Sequence, residues 1–307
     1  MEPKKHMPET AAREYTDVVR SWWDEHPFTL GLGSREANDL TGRVGEDIGL
    51  DFFNEVERKM RKWWIGATYD EGGPLIGKFV PYDDLRGKDV LDIAIGTGWS
   101  TVAFAEYGAT VNGIDITPEA VRMTRRHLEL KNLEKDVRLA QMDAQRLEFP
   151  DRCFDFVLAW GCYMWHMPDT YRALQETHRV LKSGATAVSY WYNKSSWTYW
   201  FNFMFLRGVL CGKLLRYRFN PTRIVSRYTD GSAVGGNSLT KAYSPSELTR
   251  MYRNAGFRSV RIDTMPLQGE VEGWPAGKFP VFKYLPSGLR RWMGRKWAWG
   301  LVVTAIA

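Results

Sequence analysis

The stretch Val90-Leu-Asp-Ile-Ala-Ile-Gly-Thr-Gly98, followed by Gly113-Ile-Asp-Ile-Thr117, decides how this chain is read. The first run alternates β-branched and small residues and then breaks into a glycine turn, the pattern of a buried strand running into a helix. The second is another apolar run, and it ends on a carboxylate, Asp115, seventeen residues after Gly98. Two parallel strands joined by a helix, with glycines at the end of the first and an acid at the end of the second, make a pocket for a nucleoside. Gly96 and Gly98 let the backbone approach a ligand closely, and Asp115 can accept hydrogen bonds from both ribose hydroxyls.

Working outward, the strand–helix rhythm continues. Trp99–Tyr107 reads as a short helix closed by Gly108, and Ala109–Ile114 as the second strand. Thr117-Pro118 starts the next helix, with Thr as N-cap and Pro in the first turn. Val137–Met142, Phe154–Trp160 and Ala185–Tyr192 read as strands, the last preceded by a helix that stops at Ser183-Gly184. Ser244-Pro-Ser-Glu247 is a capping box, and Val260–Thr264 and Trp299–Ala307 are the closing strands. Such alternation predicts an α/β fold with helices on both faces of a parallel sheet. Upstream, Phe52, Phe53, Val56, Met60, Trp63 and Trp64 recur at helical spacing. Residues 193–243 interrupt the pattern: 197–215 is unusually aromatic (Trp197, Tyr199, Trp200, Phe201, Phe203, Phe205) yet contains Asn202, Arg207 and Lys213, and the basic, glycine-containing 216–241 reads as mobile.

Composition bounds the function classes. The 307 residues carry a net charge of +6 and an aromatic fraction of 14%, with 14 tryptophans. The basic balance permits an acidic partner without requiring one. Cys153, Cys162 and Cys211 form no CxxC pair, which fits a reducing compartment. The N-terminal residues lack the apolar core of a signal peptide, and no uncharged apolar run reaches the roughly 18 residues of a spanning helix. A soluble, cytoplasmic protein is expected. No close His/Asp ligand set accompanies the glycine turn, so no metal is expected.

Val90–Gly98, Asp115, Met142-Asp143-Ala144, Phe154-Asp-Phe-Val-Leu-Ala-Trp-Gly161 and His178-Arg-Val-Leu-Lys-Ser-Gly184 follow one another in a familiar order and spacing. Together they resemble the class I S-adenosylmethionine-dependent methyltransferases, most of all the branch with quinone-biosynthesis and other small-molecule enzymes. The third glycine of the dinucleotide GxGxxG pattern is absent here. Ala94 stands where many relatives have glycine, and its small size should let the turn survive. The resemblance implies a Rossmann-like, seven-stranded, mostly parallel sheet whose last strand is antiparallel, plus an aromatic-rich insertion. It divides the chain into an N-terminal helical cap region (1–84), a cofactor-binding core (85–192), an insertion that could serve as substrate lid (193–243), and the C-terminal part of the core (244–307).

The resemblance further implies S-adenosylmethionine as cofactor and a role for each motif residue. Ala94, Gly96, Thr97 and Gly98 would line its amino-acid tail, with Asp92 below receiving the ammonium group. Asp115 would hold the ribose and Ile116 the adenine face. Asp143 would accept the exocyclic amine, with Ala144 donating to the ring, and Trp160 and Gly161 would face the tail and methyl group. Methyl transfer can proceed largely by holding nucleophile and sulfonium in line. Where a proton must leave, the loop after the fourth strand offers His166 and Tyr163. Tyr15, Trp22, Trp23 and His26, with Tyr163, Trp165 and His166, are the candidate acceptor-binding residues; an aromatic cluster packed on the first helix would account for the N-terminal four equally well. Asp155 reads as structural, since the start of a strand lies away from the ligand edge.

The acceptor is expected to be small and apolar or aromatic. A lipid or quinone at a membrane surface would explain the aromatic 197–215 and the basic, tryptophan-rich 290–297, although an ordinary helix joining the last two strands explains the latter as well. Basic residues 213–227 interleaved with Tyr217 and Phe219 could stack RNA bases, but no Asn/Asp-Pro-Pro-Tyr motif follows strand four, and nucleic acid is not the expected partner. A cofactor-binding protein without catalysis is the non-enzyme alternative. Oligomeric state is not fixed by the sequence.

Overall fold

A computed structural model of the chain describes residues 9–29, 45, 48–64, 73–160, 164–230, 235–266 and 286–307. Two helices lead, α1 (Glu9–Glu25) and α2 (Leu50–Trp63). The core then runs β1 (Asp89–Ile93), α3 (Trp99–Glu106), β2 (Thr110–Asp115), α4 (Pro118–Lys131), β3 (Val137–Gln141), β4 (Phe154–Ala159), α5 (Thr170–Val180) and β5 (Leu181–Tyr192). The insertion follows as a π-helix (Thr198–Leu210), α6 (Lys213–Arg216) and α7 (Pro221–Tyr228). The core resumes with α8 (Pro245–Asn254), β6 (Ser259–Met265), α9 (Ser287–Lys296) and β7 (Gly300–Ile306).

The seven strands form one sheet in the order β3-β2-β1-β4-β5-β7-β6. The first five are parallel, and β7 runs antiparallel between β5 and β6. β1 and β4 are central and near-continuously buried, as strands covered on both faces are. The order reverses at β1, so the crevice beyond the carboxyl ends of β1 and β2 is where ligands bind in such sheets.

Local chemistry sets the helix starts. The Thr117 hydroxyl accepts from the Ala120 amide (3.3 Å) with Pro118 in the first turn of α4. Ser244 and Glu247 form the reciprocal capping box of α8. Asp155 accepts from Lys182 (2.8 Å) and the Asp89 amide (3.0 Å), stitching the starts of neighbouring strands.

Two expectations are corrected. α5 stops at Val180 rather than at Ser183-Gly184, because β5 begins at Leu181, opposite Phe154. Phe156 then faces Thr186, so two steps along β4 meet five along β5, and the bulge takes up Gly184 at φ +80. The segment 216–241, expected to be mobile, contains the helix α7 among its described residues. Asn220 caps α7 through the Arg223 amide (3.4 Å), Pro221 opens it, and Ile224 and Val225 are fully buried.

Candidate active site

The crevice beyond β1 and β2 opens as a cleft. One wall is the glycine turn and strand ends: Ala94, Gly96, Asp115, Ile116, Asp143 and Ala144. The facing wall is more apolar and comes from α1 and the segment after β4, with Val19, Trp23, Phe28, His166, Met167 and Pro168.

The turn is shaped by backbone conformation. Ala94, Gly96 and Gly98 have φ of +62, +54 and +79. A Cβ at Gly98 would stand 2.8 Å from the Thr124 side chain, so α4 can approach only because glycine is there. Ala94 bears the left-handed conformation without being glycine, at a cost of roughly 1–2 kcal/mol.

Asp115 is 9% exposed. It accepts from the Gly96 amide (3.2 Å) and from the amide and hydroxyl of Thr117 (3.0 and 2.9 Å). Burial pushes its carboxyl up, and these donors partly offset the rise. Asp143 is held by Gln145, whose backbone amide donates to one carboxylate oxygen (2.9 Å) and whose side-chain amide lies 3.1 Å from both. The same side-chain amide reaches Thr16 of α1 (3.1 Å), tying the cap to the base of the cleft.

Asp92 is buried and accepts from the Ser100 and Thr101 hydroxyls, each at 2.7 Å. Burial pushes its carboxyl up to about 7, with the two hydroxyls opposing and the Asp115 charge adding to the rise. Asp92, Thr97, Gly98 and Trp160 do not line the cleft. Trp160 is instead packed against Trp64, Phe79 and Tyr190.

Of the candidate acceptor-binding residues, Trp23 and His166 meet in the cleft wall, their rings 4.8 Å apart and edge to face. Tyr15, Trp22, His26 and Trp165 do not line it. Tyr15 donates from α1 to the Ser238 carbonyl of the insertion (3.0 Å). Trp22 and His26 stack on each other (4.6 Å), and Trp165 packs on Tyr192 (4.5 Å). Gly161, Cys162 and Tyr163 lie outside the described residues.

His166 is 3% exposed. Its Nδ1 meets the Leu239 carbonyl, which can only accept, so Nδ1 carries the proton. Among the described residues Nε2 has no hydrogen-bond partner, and it faces Asp230 Oδ2 at 3.6 Å. Asp230, itself buried, accepts from the Tyr192 hydroxyl (3.0 Å). The motif order does not reveal Asp230, which sits in the insertion. A signal was nevertheless present, since it is the sole carboxylate between Glu176 and Glu247.

The donor set fits S-adenosylmethionine. Among the described residues, Gly96 has nothing within 4 Å of where a Cβ would stand, leaving room for a ligand against the turn. A buried carboxylate suits the ribose diol, apolar Ile93 and Met123 suit a flat ring, and Asp143 beside Ala144 suits the adenine edge. No group of three or more His, Cys, Asp or Glu among the described residues could hold a metal ion.

Comparison with known proteins agrees. A sequence model of the methyltransferase domain matches residues 90–184. The phosphatidylethanolamine N-methyltransferase of Cereibacter sphaeroides is 36% identical over 138 residues, covering 43% of this chain and 66% of the relative. The demethylmenaquinone methyltransferase of Geobacillus stearothermophilus is 29% identical over 185 residues, covering 58% and 74%. The crystal structure of the [4+2]-cyclase SpnF superposes with a TM-score of 0.51 at 15% identity, covering 96% of this chain and 95% of that one, a likeness of fold alone. Motif order, sheet topology and cleft chemistry thus converge with sequence similarity: residues 90–184 match a methyltransferase domain, and the chain is similar to S-adenosylmethionine-dependent methyltransferases.

Proposed function

We propose that the protein methylates a small lipophilic acceptor, a quinone-like ring or a lipid headgroup, with His166 taking the acceptor's proton where one must leave. The observation that carries this reading is His166, whose buried Nε2 has no hydrogen-bond partner among the described residues and lies 3.6 Å from Asp230, in a cleft wall otherwise made of Val19, Trp23, Phe28, Met167 and Pro168. Such a wall suits an apolar body, and a lone-pair nitrogen suits its one reactive polar group. The two enzymes compared above, named for phosphatidylethanolamine and demethylmenaquinone, support an acceptor of this kind.

When bound, S-adenosylmethionine supplies a sulfonium-activated methyl carbon whose bonding pair stays with sulfur as the methyl leaves. The protein's work is orientation and proton handling. Asp115 and Asp143 fix the nucleoside, and Trp23 with Phe28 confines the acceptor. The Leu239 carbonyl holds His166 in the Nδ1–H tautomer, leaving the Nε2 lone pair for the acceptor's proton. Asp230, 3.6 Å away, stabilises the imidazolium that results.

Formation of S-adenosylhomocysteine would be followed with a demethylated quinol, a simple catechol and phosphatidylethanolamine as acceptors. Turnover is expected with at least one. His166→Ala should lower kcat by about 10²-fold or more while leaving cofactor affinity within about 2-fold. Asp230→Asn should lower kcat with little change in either KM. Intact cofactor binding with no turnover on any of the three would overturn the proposal.

A further inference from the structure

The insertion carries a surface that a soluble enzyme core does not need. Trp200, Phe205, Val209, Leu210, Leu215 and Phe219 are between 47% and 71% exposed. These are six of the eleven large apolar side chains exposed among the described residues, and they fall within twenty positions. The π-helix explains their alignment. Its hydrogen bonds run i→i+5, so the five- and four-residue steps from Trp200 to Phe205 to Val209 stay on one face. The opposite face, Tyr199 and Phe203, is buried, with Phe203 against Trp299 at 5.4 Å. A helix apolar on both faces is stable only if the outer face meets a second apolar medium.

Charge identifies that medium. Between Thr198 and Thr229 the chain has six cations, Arg207, Lys213, Arg216, Arg218, Arg223 and Arg227, and no carboxylate. Arg216, Arg218 and Arg223 are exposed. At the tip, Arg218 and Phe219 hold φ of +51 and +57 in succession, a strained turn that leaves Phe219 69% exposed. Tryptophan, phenylalanine and leucine ringed by arginine and lysine, with no acid among them, match the polar–apolar boundary of an anionic bilayer. No helix among the described residues is long and apolar enough to cross a membrane, so the contact is peripheral.

We propose that the face formed by the π-helix, α6 and the Arg218–Phe219 turn docks on anionic phospholipid membranes. This deepens the reading of a lipophilic acceptor and rests on it for its purpose, since the enzyme would collect its acceptor from the bilayer.

Co-sedimentation with vesicles of phosphatidylglycerol and phosphatidylcholine, free of any acceptor, tests docking apart from catalysis. The protein is expected to sediment with these vesicles and to bind pure phosphatidylcholine at least 10-fold more weakly. The pair Trp200→Ser and Phe219→Ser should lower binding to anionic vesicles at least 10-fold, and the pair Arg216→Gln and Arg218→Gln should lower it several-fold. Both double variants should keep cofactor affinity and turnover of a detergent-dispersed acceptor, neither of which involves these residues. Equal binding by wild type and the Trp200/Phe219 variant, or no vesicle binding at all, would overturn the docking face. So would a dimer in analytical ultracentrifugation that dissociates on Leu215→Glu, which would assign the face to a second copy of the chain. Vesicle binding with no turnover on any acceptor would instead count against the proposed reaction and leave the docking face standing.

Discussion

Asp92 is a carboxyl placed in the native state so that ionisation is unfavourable. It is buried, its short contacts are two hydroxyl donors, and its carboxyl is pushed up to about 7, from the ordinary 3.8. Below about pH 4 the folded and unfolded chains both carry its proton. As pH rises from about 4 to about 7 the unfolded chain gives up that proton while the folded one keeps it, so this group's contribution to stability falls over that window and levels off above it. Asp92→Asn keeps an oxygen for both hydroxyls and removes the titration. Urea unfolding at pH 4.5, 6.0 and 7.5 (about the limits of the window) should show the variant gaining on wild type with pH, by up to about 4 kcal/mol. Parallel stability curves would refute the assignment. The strand ends and the turn were legible in the sequence, because Asp92, Gly96, Gly98 and Asp115 sit where β1, the glycine turn and β2 demand them, and of these four Gly96 and Asp115 line the cleft. Ala94 was legible only in part. Its small size is not the constraint; the turn asks for a left-handed backbone, φ +62, which residue volume does not report. Asp230 was harder still, since it lies 64 residues beyond His166 and only the fold brings the two together.

At the scale of elements, α1 turns a shallow crevice into a two-walled cleft. Thr16, Val19 and Trp23 fall at i, i+3 and i+7 and present one face to the site. Three anchors hold the helix: Thr16 to Gln145, Tyr15 to Ser238, and Asp24, whose carboxylate accepts from the Glu119 amide (3.3 Å) in the first turn of α4. A carboxylate at a helix N-terminus contributes about 0.3–1 kcal/mol. Asp24→Ala should therefore speed hydrogen exchange of α1 amides about 2- to 5-fold, with β1 and β4 amides unchanged. Unchanged α1 exchange would show that the cap is held without Asp24. Strands and capped helices of the core were readable because their apolar periods are 2 and 3.6 and their caps are local. The π-helix was not. Its apolar residues occupy both faces and repeat at steps of four and five, which neither template detects. α7 was missed for a different reason: six cations across 198–229 masked the Asn220-Pro221 start signal and the buried Ile224-Val225 pair.

Over the whole molecule, the cleft is closed by three stretches of chain far apart in sequence. The 166–168 segment of its wall is gripped by the end of the insertion: Lys241 donates to the Met167 and Pro168 carbonyls (2.7 and 2.8 Å), its backbone amide donates to the Trp165 carbonyl (3.0 Å), and the Leu239 carbonyl accepts a hydrogen bond from His166 Nδ1. Behind that seam, Asn237 bonds Thr240 (2.8 Å) and the Asp230 backbone (3.0 Å), and Asp230 bonds Tyr192 of β5. The seam is polar and, apart from the Lys241–Trp165 backbone bond, runs through side chains, whereas β1, β4 and β5 are joined by backbone ladders within the apolar core. Polar seams of this sort open at lower free energy than a sheet. An acceptor seated against His166, Met167 and Pro168 touches the residues the insertion grips, so its binding energy favours the closed seam, while cofactor on the opposite wall has no such leverage. Hydrogen exchange should then separate the two ligands. S-adenosylhomocysteine alone should protect the carboxyl ends of β1 and β2, and adding an acceptor should slow exchange of residues 235–241 and of α7 by about 5-fold or more, the effect of roughly 1 kcal/mol. Full protection of 235–241 by S-adenosylhomocysteine alone, or none after acceptor is added, would show that the insertion is a fixed wall and not a lid.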